Sequence, residues 1–243
     1  MNKVVLVTGA SRGIGAATAK LLATQGYSVV INYRVNRAEA EKVLQDVRNT
    51  GAEGILIQAD VSDEHQVIEM FKLVAQQLGP VTHLVNNAGI LKQQASLLDL
   101  DADRINQILT TNVTSYLLCA REAVEQMVSG GAIVNVSSMA AKTGSPHEYI
   151  DYAASKGAID TVTIGLAKEL ASQKIRVNGV RPGVIYTDMH ADGGEPNRPD
   201  RVGKRLPLQR GGTAEEVANA IAWLLSEQSS FSTGTFIDVS GGL

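Results

Sequence analysis

Apolar residues fall along this chain in short unbroken runs separated by longer segments of helical spacing. Val4-Val5-Leu6-Val7 is an uninterrupted apolar run, the pattern of a strand buried on both faces. A helix is expected from about Ile14 to Thr24, with Gly26 as its C-terminal stop. Ser28 to Tyr33 is the second strand. Residues 36–50 place Ala40, Val43, Leu44 and Val47 at helical spacing. Gly54 to Ala59 is the third strand, and Ser62, Asp63 and Glu64 open a helix that runs to about Leu78. Thr82 to Val85 is the fourth strand. Residues 102–128 read as one long helix and Ala132 to Ser138 as the fifth strand. Another helix carries Tyr152 and Lys156 to about Ser172, and Ile175 to Val180 is the sixth strand. Residues 188–207, rich in Gly and Pro, break the pattern and are expected to form a mobile lid. Thr213-Ala214-Glu215-Glu216 has the spacing of a capping box for a last helix, and Thr235 to Val239 is the seventh strand. Strands and helices alternate from end to end without repeat or linker, so residues 1–243 are expected to form one α/β domain.

Composition narrows the function. The 243 residues are 44% hydrophobic and 19% charged with a net charge of -3, which gives no electrostatic case for nucleic acid. The single cysteine, Cys119, cannot form a disulfide within the chain, and a reducing cytoplasm is the expected setting. The first apolar run is too short for a secretory core, and no run approaches a membrane span. The four histidines show no metal-ligand spacing, so no metal is expected.

The candidate chemistry sits in the turns. Between the first strand and first helix lies Thr8-Gly9-Ala10-Ser11-Arg12-Gly13-Ile14-Gly15. Small residues there let backbone approach a pyrophosphate, and the helix N-terminus offers it free N–H groups and partial positive charge. The spacing is G-x-x-x-G-x-G rather than G-x-G-x-x-G. After the second strand comes Asn32-Tyr33-Arg34, with no carboxylate to hold the ribose 2′-hydroxyl of NAD. Arg34 and Arg12 instead suit the 2′-phosphate of NADP, so NADP(H) is expected, with NAD(H) the weaker alternative. Asp60-Val61 and Asn86-Asn87-Ala88-Gly89 come after the third and fourth strands, at the edge where a parallel sheet binds ligands. Tyr152 and Lys156 stand four apart on a helix and share a face. A free phenol has a pKa of about 10, and a fixed cation nearby favours the phenolate, so the pair suits general acid/base work. Asn112, inside an apolar helix, needs hydrogen-bond partners.

Taken together these residues resemble the short-chain dehydrogenases/reductases over essentially the whole chain. The family's TGxxxGxG turn is matched by Thr8-Gly9, Gly13 and Gly15, which accounts for the odd glycine spacing. Its adenine-site D-V resembles Asp60-Val61, its NNAG is Asn86 to Gly89, and its YxxxK is Tyr152 to Lys156. Its catalytic Asn and Ser resemble Asn112 and Ser138, and its Pro-Gly after the sixth strand resembles Pro182-Gly183, with Ile185 and Thr187 beyond it near the carboxamide. The resemblance implies a Rossmann-type, doubly wound parallel sheet of seven strands, ordered 3-2-1-4-5-6-7, with helices on both faces, and a homotetramer. It implies a catalytic set of Asn112, Ser138, Tyr152 and Lys156. Cofactor contacts are implied for Gly9, Ser11, Arg12, Gly13, Ile14, Gly15, Asn32, Tyr33, Arg34, Asp60, Val61, Asn87, Ala88, Gly89, Tyr152, Lys156, Pro182, Gly183, Ile185 and Thr187.

The implied reaction moves a hydride between NADP(H) and a carbonyl or secondary alcohol. Tyr152 is the acid/base, Lys156 lowers its pKa and binds the nicotinamide ribose, Ser138 meets the oxyanion, and Asn112 holds a relay water. Within the family the chain is most like bacterial oxidoreductases of glucose 1-dehydrogenase type and, more loosely, 3-oxoacyl-carrier-protein reductases. A sugar, an acyl thioester and a small ketone or aldehyde all remain open as substrates. The alternative from another class is a non-catalytic NADP(H)-sensing protein on the same fold. Arg198, Arg201, Lys204 and Arg205 in the lid are expected to be solvated rather than to receive an anion.

Overall fold

A computed structural model describes residues 3–128 and 130–243. Strands β1 (Val4–Val7), β2 (Ser28–Tyr33), β3 (Gly54–Gln58), β4 (His83–Asn86), β5 (Gly131–Val136), β6 (Ile175–Pro182) and β7 (Phe236–Val239) form one sheet. Its order is β3-β2-β1-β4-β5-β6-β7 and every pairing is parallel, as the family resemblance implies. Leu6 lies opposite Val30 on one side and Leu84 on the other, so β1 is central and buried on both faces.

The helices are α1 (Gly13–Thr24), α2 (Arg37–Asn49), α3 (Glu64–Gln77), α4 (Ala102–Leu109), α5 (Ser115–Gln126), α6 (Ala140–Thr143), α7 (Ile150–Glu169), α8 (Met189–Asp192), α9 (Arg198–Gly203) and α10 (Ala214–Leu225). Side chains alternate across a strand, and the two cores obey that alternation. Val5, Val7, Val29 and Ile31 pack with α1, α2 and α10 in one apolar cluster. Val4, Leu6, Val30 and Ile133 pack with residues of α3, α5 and α7 in the other.

Two expectations need correction. The long helix over 102–128 is interrupted: Thr110–Thr114 winds as a π-helical turn between α4 and α5. Such a turn inserts one residue and rotates α5 relative to α4, and it tends to occur at functional sites. The segment 188–207 is not wholly irregular, since it holds α8 and α9, the latter with Pro199 in its first turn where a missing N–H costs nothing. The capping box is present: Thr213 accepts from the Glu216 N–H and the Glu216 carboxylate accepts from the Thr213 N–H.

Candidate active site

Strand order reverses between β1 and β4, and the loops leaving their C-terminal ends open a crevice there. The loop after β1 is held from both sides. The Thr8 hydroxyl accepts from the N–H groups of Asn87 (2.9 Å) and Ala88 (3.0 Å). The Asn87 amide donates to the carbonyls of Thr8 (2.9 Å) and Gly9 (3.2 Å). Asn32, buried at the end of β2, accepts from the Gly9 N–H at 3.1 Å and donates to the Ala59 carbonyl at 3.1 Å. Gly9 and Gly13 take φ of +61° and +55°, a region that penalises any Cβ. A Cβ on Gly15 would stand 2.6 Å from the Asn87 amide nitrogen, so α1 can start here only because that residue is glycine.

Helix α1 begins without a side-chain cap and without an acidic residue in its first turn. Its leading N–H groups face a cleft of about 420 Å³. That cleft collects Gly9, Ser11, Arg12, Gly13, Ile14, Asn32, Tyr33, Arg34, Asp60, Val61, Asn87, Ala88, Gly89 and Thr187 from the expected cofactor set. Gly15 lies behind it as packing. Both arginines expected to meet a phosphate carry acidic partners: Arg34 stands 3.5 Å from Asp60, and Arg12 pairs with Asp192 and, at 3.9 Å, Asp188. Asp60 also accepts from the Ser62 N–H at 2.9 Å, closing its own turn.

An adjoining cleft of about 420 Å³ brings together Ser138, Tyr152, Lys156, Pro182, Gly183, Ile185 and Thr187. Burial pushes the Tyr152 phenol up to about 12, partly opposed by its hydrogen bond with Ser138. That direction is the reverse of the one expected from Lys156. Burial is the largest cause of that shift, and the Lys156 ammonium donates instead to the Val136 carbonyl at 2.8 Å and to the Tyr116 hydroxyl at 3.3 Å. Lys156 is itself pulled down to about 7 by burial, against the pull of Asp160. Asn112 is fully buried in the π-helical turn. Its carbonyl oxygen accepts from Ile90 N–H at 2.8 Å, and its amide donates to Ile90 O at 3.1 Å and Ser155 Oγ at 3.2 Å. The amide thus ties the loop after β4 to α7, one residue before Lys156.

Residues 188–207 cover this second cleft. Arg198 is not solvated as expected: its side chain is 14% exposed and ion-paired to Glu148 and, at 3.1 Å, Glu195. Arg201 also pairs with Glu195, which is held down at about 2 mainly by that contact. Lys204 and Arg205 are exposed, as expected. Tyr149 donates to the Gly193 carbonyl at 3.2 Å and packs its ring 5.2 Å from the Arg198 guanidinium.

The sequence did not single out Tyr116, Ser155 or Asp160, and it marked Ser137 only as a hydroxyl beside Ser138 at the end of the fifth strand. Ser137 Oγ donates to Asp160 at 2.6 Å, and Arg181 donates to the other Asp160 oxygen at 2.8 Å, joining β5, α7 and β6. The signal for Tyr116 was its place one helical turn beyond Asn112; for Asp160 it was the same interval beyond Lys156. A larger cleft, of about 660 Å³, lies at the opposite edge of the sheet between Lys3, His83 and Lys174. There the Arg176 guanidinium donates to the carbonyls of Leu224, Leu225 and Ser226, closing the end of α10.

The family model described as enoyl-(acyl carrier protein) reductase matches residues 9–243. An uncharacterised oxidoreductase of Escherichia coli K12, YgfF, is 58% identical over 98% of this chain and 99% of its own. The 3-oxoacyl-[acyl-carrier-protein] reductase FabG of Staphylococcus epidermidis is 38% identical over 100% of this chain and 99% of its own. Among solved structures, a short-chain dehydrogenase/reductase from Serratia marcescens superposes with a TM-score of 0.92 at 32% identity, covering 99% of this chain and 97% of that one. With the seven-stranded order, the glycine turn and the Tyr152–Lys156 pair already in place, these likenesses make the chain an oxidoreductase of the short-chain dehydrogenase/reductase family.

Proposed function

We propose that this oxidoreductase uses NADP(H) to interconvert a carbonyl and a secondary alcohol, with Tyr152 as general acid/base. The observation that carries the reading is the meeting of two clefts, one on the bare N-terminus of α1 and one on Ser138, Tyr152 and Lys156. A pyrophosphate suits the uncapped N–H groups beside Gly13, and Arg12 and Arg34 suit a 2′-phosphate, with the absence of a carboxylate at the end of β2 weighing against NAD(H). Thr187, which lines both clefts, suits a nicotinamide carboxamide at their junction.

The nicotinamide, when bound, supplies or accepts the hydride. The protein's task is proton and charge. Tyr152 gives its hydroxyl proton to the carbonyl oxygen as the alcohol forms. Ser138, already bonded to Tyr152, donates to the same oxygen and meets charge that develops there. A phenol held at about 12 is protonated at neutral pH, the form that can give a proton to the carbonyl oxygen. Lys156 places a cation beside the Tyr152 ring, 5.6 Å from its centroid. Residues 188–207 serve as the lid. Of their three arginines, Arg198 and Arg201 are paired with Glu148 and Glu195, which favours an uncharged reacting end of the substrate over an anionic one. Leu91, Met139, Met189 and Val202 give the cleft an apolar wall for the remainder. The functional unit is a homotetramer in the cytoplasm.

The test is NADPH and NADH oxidation across acyl thioesters, ketones and aldehydes, with glucose and NADP+ in reverse. Tyr152→Phe is expected to lose about 10²- to 10⁴-fold in kcat while NADPH still binds. Near-normal turnover in that variant overturns the assignment, and tight NADPH binding without turnover on any carbonyl supports a sensor instead.

A further inference from the structure

The Lys156 ammonium sits in a closed triangle of contacts that the four expected catalytic residues do not account for. Tyr116, on α5, is 1% exposed, and its hydroxyl donates to the Val136 carbonyl at 3.0 Å. Lys156 Nζ donates to the same carbonyl at 2.8 Å and to the Tyr116 oxygen at 3.3 Å. The ammonium lies 5.2 Å from the Tyr116 ring centroid and 5.6 Å from that of Tyr152, so it is held between two phenols. Because the Tyr116 proton is spent on Val136, the oxygen turns a lone pair to the lysine.

We propose that Tyr116 is a positioning residue for Lys156: with the Val136 carbonyl it forms the buried seat that keeps the ammonium charged and beside Tyr152. The proposal rests on the reading of Tyr152 and Lys156 as the acid/base pair. It has a physical need behind it. A cation removed from water is unstable unless acceptors replace its hydration, and burial already pulls Lys156 down to about 7. Among the described residues, the acceptors bonded to Nζ are the Val136 carbonyl and the Tyr116 hydroxyl.

The other groups around the ammonium cannot take over. Asn112 approaches from the π-helical turn, across Gly89, whose Cβ position lies 3.8 Å from Nζ, but its amide is committed to Ile90 and Ser155. Asp160, one turn along α7, attracts the charge from a distance while bonded to Ser137 and Arg181. Tyr152, on the lysine's own helix, presents its ring face. Cys119, beside Tyr116 on α5, has its thiol pushed up by burial and stays neutral. Burial raises the Tyr116 phenol as well, so it remains a neutral acceptor across the working range.

A hydroxyl accepting from Lys156 favours the charged form, so removing it lowers the lysine pKa. Tyr116→Phe keeps the ring and removes only the oxygen. The experiment titrates the Lys156 side-chain nitrogen by NMR in the full-length protein labelled with 15N-lysine, with Lys156→Arg to assign the signal. Tyr116→Phe is expected to lower the midpoint by about half to one pH unit, the size of one hydrogen bond to the charged form. The alkaline limb of kcat on the active carbonyl should move the same way, while the NADPH Kd stays within about twofold. Site-specific 3-fluorotyrosine at position 116, a weaker acceptor of unchanged shape, should move both in the same direction and guards against a misfolded phenylalanine variant. An unmoved Lys156 midpoint in these variants overturns the proposal. If Tyr152→Phe keeps its turnover, the acid/base reading fails instead, and the NMR titration still decides what Tyr116 does.

Discussion

At the level of single residues, polar side chains that line the crevice also brace it. Asn32 and Asn87 were legible as crevice residues, but their amides are bonded to the glycine turn and to the ends of β1 and β3. Sequence position told where they stand and not what they touch. Tyr116 and Asp160 were illegible for the opposite reason: each lies in a run of helix where a buried tyrosine or a surface acid is the ordinary reading. Arg12 shows a third case. Its place in the glycine turn was read correctly, yet its guanidinium reaches across to Asp188 and Asp192 on the far side of the crevice. Asp192 is 46% and Asp188 69% exposed, so the pairing is weak and leaves Arg12 able to exchange it for a phosphate. Arg12→Ala is therefore expected to cut kcat/KM with NADPH by about tenfold or more and to leave NADH nearly unchanged. Steady-state kinetics with both cofactors read the ratio, and an equal loss with each would remove Arg12 from phosphate recognition.

At the level of elements, hydrophobic periodicity found all seven strands, because β1, β2, β4 and β5 are runs buried almost throughout and the edge strands β3 and β7 are short apolar runs bounded by turn residues. It did not find the π-helical turn. Thr110–Thr114 carries no glycine or proline to mark a break, and one inserted residue shifts a periodicity too little to be seen in a single sequence. Nor did it find α8 and α9, which are a turn or so long and depend on tertiary contacts such as Tyr149 to Gly193. Local chemistry did better at the ends of elements. The capping box at Thr213 was read from four residues and is complete, and Glu216, held at about 2, also receives Arg210 at 2.9 Å. α10 packs on α1, which carries the glycine turn, so fraying at Thr213 loosens the crevice from behind. Thr213→Ala is expected to lower stability by about 1 kcal/mol. Urea denaturation should show a lower midpoint with an unchanged slope; an unchanged midpoint would mean that packing alone fixes the start of α10.

At the level of the whole molecule, the sheet order was legible only through the resemblance, since alternation of strands and helices fixes a parallel sheet but not which strand lies next to which. The surface that remains after folding is informative in the same way. Leu109 and Leu117, on α4 and α5, are 38% and 45% exposed, and Ile150 and Ile164, on α7, are 41% and 41% exposed. α4 contacts α7, and α7 also meets the π-helical turn, so these apolar side chains belong to one packed group of helices. Ile150 and Ile164 stand fourteen residues apart, about four helical turns, and so project from the same side of α7. Helices whose inner faces are already committed to the core and whose outer faces still carry large aliphatic residues are suited to pack against a second copy. The same helices hold Tyr116 and the proposed acid/base pair, Tyr152 and Lys156, so association would stiffen that group. Sedimentation equilibrium is expected to give four times the 25.8 kDa chain mass, and Ile164→Asp with Leu117→Asp is expected to yield smaller species. If the dissociated variant also loses turnover without losing NADPH binding, assembly supports the acid/base pair rather than the cofactor crevice. A wild-type protein that sediments as a monomer would overturn the assembly and leave that apolar surface without a partner.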